Sequence, residues 1–320
     1  MPSRTRTLRV AAVQRTSRDG KVEENLSAAA PDVEEAARRG AQLVLLPEFL
    51  APGYALSTAL WDAAEPAHGP TARWLAEQSK RHGIYLGASF LEAEGEDFFN
   101  TFVLTTPTGD EAGRVRKETP AIIETFFTRG GAGAHVIHTD VGAIGVGICY
   151  ENQLACTPRL FHEHDVDLVL MPHSAPSAPR GPLTSRVVDV YEDALRTLPA
   201  HYSGLLGVPV VLANKSGPWR MFLPGLPRSS RRSRFPGLSA IADSDGRVKA
   251  ALGAEPGVLV EDVVLDPARK RPLAPSCHGR WARRMPVMAS LLPLVEAAGR
   301  AWYDRSEERR ARARAISSRA

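Results

Sequence analysis

The chain has 320 residues, of which 43% are hydrophobic and 24% are charged, values typical of a globular protein with one large core. This composition excludes collagen-like and disordered chains, and no apolar run approaches the roughly 18 residues of a membrane-spanning helix. The first residues contain no long apolar segment typical of a secretory signal, and the three cysteines are an odd, sparse set. We therefore expect a cytoplasmic protein with reduced cysteines.

Positive charge is concentrated at the C-terminal end. Residues 269–320 hold 13 Lys and Arg against 4 Asp and Glu, a net charge of +9; since the whole chain carries +4, the remainder carries −5. We expect residues 1–280 to form one domain and residues 281–320 to be a basic helical extension that packs on a second copy, in a homodimer or higher homo-oligomer. A small molecule is the expected partner, whereas a membrane is excluded and nucleic acid is disfavoured. Binding of an anionic partner by this tail is the alternative from another functional class.

In the first half of the chain, short apolar runs alternate with longer amphipathic stretches, which is typical of an α/β fold. Apolar residues at helical spacing predict a helix over 21–39, kinked or broken at Pro31, and a second helix over 71–81. Strands are predicted at 8–14, 42–46, 84–91, 101–105 and 113–117.

In the second half, a loop over 118–133 precedes two strands joined by a turn, and Thr157 and Pro158 predict the start of a short helix ending at His164. A longer helical stretch covers 184–206, with an interruption near Pro199. Strands are predicted at 135–139, 143–148, 167–171, 208–214, 239–243, 247–251 and 257–264. A mobile or partner-facing loop is predicted over 217–236, which contains Arg228, Arg231, Arg232 and Arg234 without an acid.

Three polar residues stand where strands are predicted to end: Glu48, Lys117 and Cys149. A cysteine that attacks an amide or nitrile must become a thiolate, and a carboxylate in a partly apolar cleft can accept its proton. An ammonium and a backbone N–H, here those of Lys117 and Tyr150, stabilise the oxyanion that follows. The residues thus predict a base, a charge stabiliser and a nucleophile. Taken singly, each has an ordinary structural alternative: a surface carboxylate, a solvated lysine or an inert buried thiol.

Five motifs place these residues in a wider pattern that covers roughly residues 7–265. They are PEFLAPGY (47–54), RKETP (116–120) followed by Glu124, GICYEN (147–152), LANKSG (212–217) and FPGLSAIADSDG (235–246). With these motifs the chain resembles the nitrilase, or carbon–nitrogen hydrolase, superfamily, whose sites combine Glu, Lys and Cys in that chain order.

The resemblance implies a four-layer αββα sandwich and a thiol hydrolase that cleaves a non-peptide carbon–nitrogen bond through a thioester on Cys149. It implies that Glu48 is the general base, that Lys117 stabilises the oxyanion, and that Glu124 is an accessory acid, although a purely structural role for Glu124 stays open. The residues that the likeness places at the pocket are Phe49, Tyr54, Phe126, Tyr150 and His173.

The branch of the superfamily stays open. A small amide or N-carbamoyl compound is the expected substrate, but CYEN resembles the CWEN of true nitrilases, with Tyr150 in place of Trp, and favours a nitrile. Amidase and carbamoylase branches carry an HLP-like element after the lysine, where this chain has Glu118, Thr119 and Pro120. Acyl transfer from the same thioester is a further alternative.

Other kinds of site receive weaker support from the sequence. A papain-like arrangement of Cys149, His173 and Asn214 stays open, because such triads are defined by geometry rather than by chain order. His162 and His164 point to different sides of a helix, and the cysteines lack zinc spacing. The glycine-rich run over 142–147 falls inside a predicted strand, which is the wrong context for a dinucleotide. We expect no metal and no cofactor.

Overall fold

A computed structural model describes residues 5–182, 184–223, 226–285 and 290–319, without the side chains of 221–231. Two six-stranded sheets form its centre. The first has the order β14-β1-β2-β3-β4-β5, and β1, β2 and β3 are parallel to one another, whereas the outer strands are antiparallel. Its strands are β1 (Arg6–Gln14), β2 (Leu43–Leu45), β3 (Tyr85–Glu94), β4 (Asp97–Thr105), β5 (Glu111–Arg116) and β14 (Gly257–Leu265).

The second sheet repeats this arrangement, with three parallel strands in the centre and antiparallel strands outside. Its order is β13-β12-β9-β8-β7-β6, and β7, β8 and β9 are the parallel strands. Its strands are β6 (Val136–Thr139), β7 (Gly142–Val146), β8 (Leu168–Pro172), β9 (Val210–Ala213), β12 (Ala240–Ala242) and β13 (Val248–Ala251).

The two sheets pack face to face, and helices cover their outer faces. Alternation along β1 shows the packing: Val10 and Ala12 belong to the core that also holds the second sheet, whereas Ala11 and Val13 pack with the helices of the first. The first sheet carries α1 (Val22–Arg38) and α2 (Pro70–His82), and the second carries α3 (Cys156–Glu163), α4 (Ser185–Arg196) and α5 (Leu198–Leu206). None of the helices among the described residues is both long and apolar enough to cross a membrane. The expected αββα sandwich is confirmed.

The prediction of a break in α1 at Pro31 is wrong, because the helix runs through this residue without interruption. Pro31 is exposed, and the buried face of the helix continues past it through Ala29 and Val33. A proline removes one backbone donor, and burial of an apolar helix face outweighs that loss here.

The prediction of a loop over 217–236 is also wrong, because the described residues of this range form a two-stranded hairpin, whereas contact of this segment with a partner stays a prediction. The strands of the hairpin are β10 (Ser216–Leu223) and β11 (Leu226–Pro236). At the base of the hairpin Trp219 and Phe235 are buried, and their rings lie 6.1 and 6.0 Å from that of Tyr54. The guanidinium of Arg234 pairs with Glu192 at 3.1 Å, whereas the side chains of Arg228 and Arg231 lie outside the described part.

The tail contains α6 (Leu292–Arg305) and α7 (Glu307–Ser317), both of which pack against this chain's own body. The Tyr303 hydroxyl accepts a hydrogen bond from the Phe98 N–H at 2.8 Å, and Arg309 pairs with Asp97 at 2.6 Å. The division of the chain at residue 280, the cytoplasmic location and assembly through the tail stay predictions.

Candidate active site

The predicted site residues lie where strands of both sheets end. Glu48 follows β2, Lys117 follows β5 directly, and Cys149 follows β7. Because the carboxyl ends of parallel strands meet at one edge of a sheet, and the two sheets pack face to face, side chains more than a hundred residues apart in the chain are brought together.

Glu48 is fully buried and held at both carboxylate oxygens. Its Oε1 accepts hydrogen bonds from Lys117 Nζ at 2.7 Å and from Asn100 Nδ2 at 2.8 Å, and its Oε2 accepts one from the Ser174 N–H at 2.7 Å. Ser174 Oγ returns a hydrogen bond to the Glu48 carbonyl at 2.6 Å. These contacts leave the carboxylate in one orientation.

Lys117 lies between two carboxylates. Its Nζ donates to Glu48 and, at 2.6 Å, to Glu124 Oε2, and all three side chains have no exposed surface. Glu124 belongs to the short 3₁₀ helix Ile122–Phe126 and also accepts from the Ala121 N–H at 3.0 Å. Asn100 Nδ2 bridges both carboxylates, because it donates to Glu124 Oε1 at 3.0 Å as well. The ammonium is therefore fixed in place before any ligand arrives.

Cys149 begins the 3₁₀ helix Cys149–Gln153 with a left-handed backbone, φ 53°. Such a conformation is strained for a residue with a Cβ, and it is held by its surroundings. Asn152 Nδ2 donates to the Gly147 carbonyl at 2.6 Å, and a Cβ on Gly147 would lie only 2.0 Å from Asn152 Oδ1. Gly147 is thus needed for the tight turn from β7 into the Cys149 segment.

Glu151 ties the turn of the nucleophile candidate to the loop that follows Lys117. Its Oε1 accepts from the Glu118 N–H at 2.7 Å and its Oε2 from the Ile148 N–H at 3.0 Å. One buried carboxylate therefore fixes the relative position of the Lys117 and Cys149 backbones. It is a role in positioning that sequence reasoning missed, although the residue lies inside the GICYEN motif.

The charges of the cluster favour a carboxylate next to a neutral thiol. Burial would raise the pKa of Glu48, but the Lys117 ammonium and its hydrogen bond outweigh burial and hold that pKa below its usual value. Burial and then the negative charge of Glu48 raise the pKa of the Cys149 thiol well above its usual value. At neutral pH the resting site therefore holds a carboxylate that can accept a proton beside a protonated thiol.

The papain-like alternative does not match the geometry. Asn214 bonds to backbone, since its Oδ1 accepts from the Ala175 N–H at 2.9 Å and its Nδ2 donates to the Gly237 carbonyl at 2.7 Å. The ring of His173 meets Asn152, with 3.0 Å between Nε2 and Nδ2. Burial lowers the pKa of His173 to about 4, so this imidazole is neutral at pH 7. His173 lies close enough to Glu48 to interact with its charge.

The aromatic candidates divide into two groups. Phe49 and Tyr54 are buried beside the cluster, and burial and then the charges of Glu124 and Glu48 raise the pKa of Tyr54 well above its usual value. Phe126 and Tyr150 instead contact the tail: the Phe126 ring lies 6.0 Å from that of Trp302, and the Tyr150 hydroxyl donates to Glu296 at 2.9 Å.

Besides the role of Glu151, sequence reasoning missed three further polar residues at the site. Asn100 carried a signal, because it is the one amide in the mostly apolar run FFNTFVL, whereas Ser174 had none beyond its place after His173. Tyr191 on α4 is 37% exposed, and it lies near the cluster, since desolvation and then the charges of Cys149 and Glu48 raise the pKa of its hydroxyl. Within the described part of the chain, no group of three or more His, Cys, Asp or Glu side chains could hold a metal ion.

Lys215 is a second buried lysine close to the site. It has no exposed surface, and its Nζ donates to the Phe49 carbonyl at 2.7 Å, while Asp19 and Glu48 act on it as more distant charges. Burial lowers its pKa from 10.5 to about 7. The folded chain therefore disfavours the proton on this group, while the unfolded chain keeps it up to a much higher pH.

We expect the free energy of unfolding to rise by about 3 kcal/mol from about pH 6 to about pH 9 through Lys215 alone. The sign follows because the unfolded state binds more protons in this window, so that raising the pH favours the folded state. Chemical denaturation at several pH values measures the slope. The Lys215→Met variant should show a flatter profile than the wild type, and equal slopes in the two proteins would contradict the prediction.

Comparison with known proteins identifies the family of the chain. The carbon–nitrogen hydrolase family model matches residues 9–272. The N-carbamoylputrescine amidase of Solanum tuberosum is 28% identical over 282 residues, which cover 85% of this chain and 91% of the relative. A nitrilase of Pyrococcus abyssi is 29% identical over 197 residues, 58% of this chain and 74% of the relative.

Solved structures show the same fold. The carbon–nitrogen hydrolase of Helicobacter pylori G27 superposes with a TM-score of 0.67 at 18% identity, covering 82% of this chain and 91% of that one. An amidase from a Nesterenkonia species superposes with a TM-score of 0.61 at 25% identity, covering 83% and 93%. The chain thus belongs to the carbon–nitrogen hydrolase family of the nitrilase superfamily and is a hydrolase that acts on carbon–nitrogen bonds.

Proposed function

We propose that this enzyme hydrolyses a small amide or N-carbamoyl compound through a thioester on Cys149. The observation that carries the proposal is the buried Glu48 carboxylate, held ionised by Lys117 beside a neutral Cys149 thiol on a left-handed turn. This arrangement supplies a base, a nucleophile and a fixed positive charge to a single reacting carbonyl. The similarity to an N-carbamoylputrescine amidase over most of both chains supports the amide and carbamoyl branch.

The proposed acylation step begins when the Cys149 thiol transfers its proton to Glu48 as the sulfur attacks the substrate carbonyl carbon. The resulting oxyanion is stabilised by the Lys117 ammonium and the Tyr150 N–H. Collapse of the tetrahedral intermediate breaks the carbon–nitrogen bond, and Glu48 returns the proton to the leaving nitrogen. Ammonia or an amine departs and a thioester remains.

In the deacylation step, water gives a proton to Glu48 and attacks the thioester carbon. The carbon–sulfur bond breaks, the acid is released, and the proton on Glu48 restores the Cys149 thiol. Glu124 keeps Lys117 in position throughout, because its carboxylate, held by the Ala121 N–H, is the second acceptor for the ammonium. This is a positioning role for Glu124.

A nitrile is the second candidate substrate. The CYEN motif and the similarity to a Pyrococcus abyssi nitrilase favour it. The same thiol would then attack the nitrile carbon, and the first adduct would carry its negative charge on nitrogen rather than on oxygen. Lys117 would have to donate a proton to that nitrogen, a demand that an amide carbonyl does not make.

The test is a panel in which amide, N-carbamoyl compound and nitrile share one carbon skeleton. Ammonia release and the intact mass of the protein are followed together, with and without an added amine acceptor. Preferential release from amides or carbamoyl compounds is the expected result, and preference for the nitrile would shift the proposal to the second candidate. Product that carries the added amine would indicate acyl transfer, whereas silence across the panel with no adduct on Cys149 would count against the proposal.

A further inference from the structure

One face of α6 contacts three segments that carry residues of the active site. The residues on this face are Glu296, Gly299 and Tyr303, which recur at helical spacing and are buried. They meet, respectively, the 3₁₀ helix that begins at Cys149, the 3₁₀ helix that contains Glu124, and the start of β4, which carries Asn100. Helix α6 therefore contacts the backbone segments that carry Cys149, Glu124 and Asn100.

The contact with the nucleophile turn is a buried polar pair. Tyr150, the residue directly after Cys149, donates its hydroxyl to Glu296 Oε1 at 2.9 Å. Arg280 Nη2 donates to both oxygens of Glu296, at 3.0 and 2.7 Å, and neutralises this carboxylate, which is only 1% exposed. The backbone around Arg280 also joins the same turn, because the Ala155 N–H donates to the Arg280 carbonyl at 2.8 Å.

The contact with the Glu124 segment is a close backbone approach. A Cβ on Gly299 would lie 2.0 Å from Thr125 Oγ1 and 2.8 Å from the Phe126 ring, so that only glycine lets the helix come this near. Trp302, three residues further along α6, then packs on the Phe126 ring. The 3₁₀ helix that holds Glu124 against Lys117 is thus supported from outside by α6.

These supports matter because the turns they hold are short and strained. Each 3₁₀ helix has five residues, and Cys149 has a left-handed backbone, a strained conformation that persists only when neighbouring groups enforce it. A displacement of the sulfur or of the Tyr150 N–H by about 1 Å would cost about 10²-fold in rate.

We propose that α6 is a positioning element for the active site, and that Glu296 holds the Cys149 turn in its reactive geometry through the Tyr150 hydroxyl. Glu296 does not touch the reacting atoms, and its effect passes through the tyrosine. The effect on turnover rests on the proposed function, whereas the effect on the reactivity of the Cys149 thiol does not depend on the identity of the substrate.

The test compares full-length Glu296→Ala, Glu296→Gln, Tyr150→Phe and the double variant Glu296→Ala with Tyr150→Phe. Two rates are measured: turnover of the best substrate, as kcat and KM, and alkylation of Cys149 by iodoacetamide, located by peptide mass. We expect Glu296→Ala to lower both kcat and the alkylation rate by about 10- to 100-fold with little change in KM. Glu296→Gln keeps an acceptor for the tyrosine and should retain most of both rates.

The double variant separates positioning from general destabilisation. If Glu296 acts through Tyr150, the double variant loses no more than the worse single variant, whereas independent effects multiply. Arg314→Ala is the matched control, because it removes an ion pair between α7 and Glu96 without touching the α6 face, and it should leave both rates unchanged. Wild-type rates in Glu296→Ala, or multiplied losses in the double variant, would overturn the proposal.

If Glu296→Ala fails to fold, the single variants Tyr150→Phe and Glu296→Gln still test the proposal. Tyr150→Phe must then lower the alkylation rate of Cys149, while Glu296→Gln must retain most of it.

Discussion

We expect replacement of Cys149 by alanine to lower kcat by at least about 10⁴-fold, while the chain still folds. The reason is that every chemical step proposed for this enzyme forms or breaks a bond to the Cys149 sulfur, and no other thiol lies near the Glu48 carboxylate in the described part of the chain. Alanine keeps a Cβ and therefore leaves the left-handed turn with the same strain. Ammonia release measures the loss of turnover, and thermal unfolding shows whether the variant keeps its fold.

Cys156 and Cys277 provide matched controls, because both are free thiols away from the cluster and one of them is exposed. Cys156→Ala and Cys277→Ala should keep the wild-type kcat and still form an acyl adduct of the substrate mass. Turnover that survives in Cys149→Ala, or that disappears in either control, would remove Cys149 from the mechanism.

Glu48→Gln should have the second largest effect, with kcat lowered by about 10³-fold or more, because both acylation and deacylation lose their proton acceptor. Glutamine keeps the shape of the side chain, and its one oxygen can still accept from the Ser174 N–H, so that we expect the fold to be kept at a lower stability. Deacylation requires activated water, and a slow thioester should therefore accumulate in this variant and be visible as an adduct in the intact mass.

The same substitution should make the Cys149 thiol easier to ionise. Its pKa is raised by burial and by the negative charge of Glu48, and it is lowered by Lys117. Removing the carboxylate charge leaves the ammonium, so that the pKa of the thiol falls and alkylation begins at a lower pH than in the wild type. An unchanged pH profile of alkylation, or a kcat close to the wild-type value, would contradict the role of Glu48 as base.

Glu65→Gln is the control for removal of a buried carboxylate as such. Glu65 is also buried, but it accepts hydrogen bonds from Thr71, at 2.6 Å to both the N–H and the hydroxyl, rather than from the catalytic cluster. It should lower stability without changing the pH profile of Cys149 alkylation.

The local sequence pattern was sufficient for most of the fold. Apolar periodicity located the strands of both sheets and the helices that cover them to within a few residues. It could do so because an apolar residue at every second position, or at a period of 3.6 residues, can be recognised from neighbouring residues alone. It failed at Pro31 and over 217–236. At Pro31 the burial of the apolar face of α1 outweighed the loss of one backbone hydrogen-bond donor. Over 217–236 the many arginines and prolines indicated a loop, although the segment forms a hairpin whose base packs on Tyr54.

Residue type and spacing were enough to place Glu48, Lys117 and Cys149 at strand ends in motifs of one hydrolase family, since both are local properties of the chain. The contacts that hold these three side chains depend instead on tertiary packing. Asn100 bridges Glu48 and Glu124 across 52 and 24 residues, and Glu296 reaches Tyr150 across 146. Such contacts depend on how sheets and helices pack, and no periodicity along a single chain carries that information.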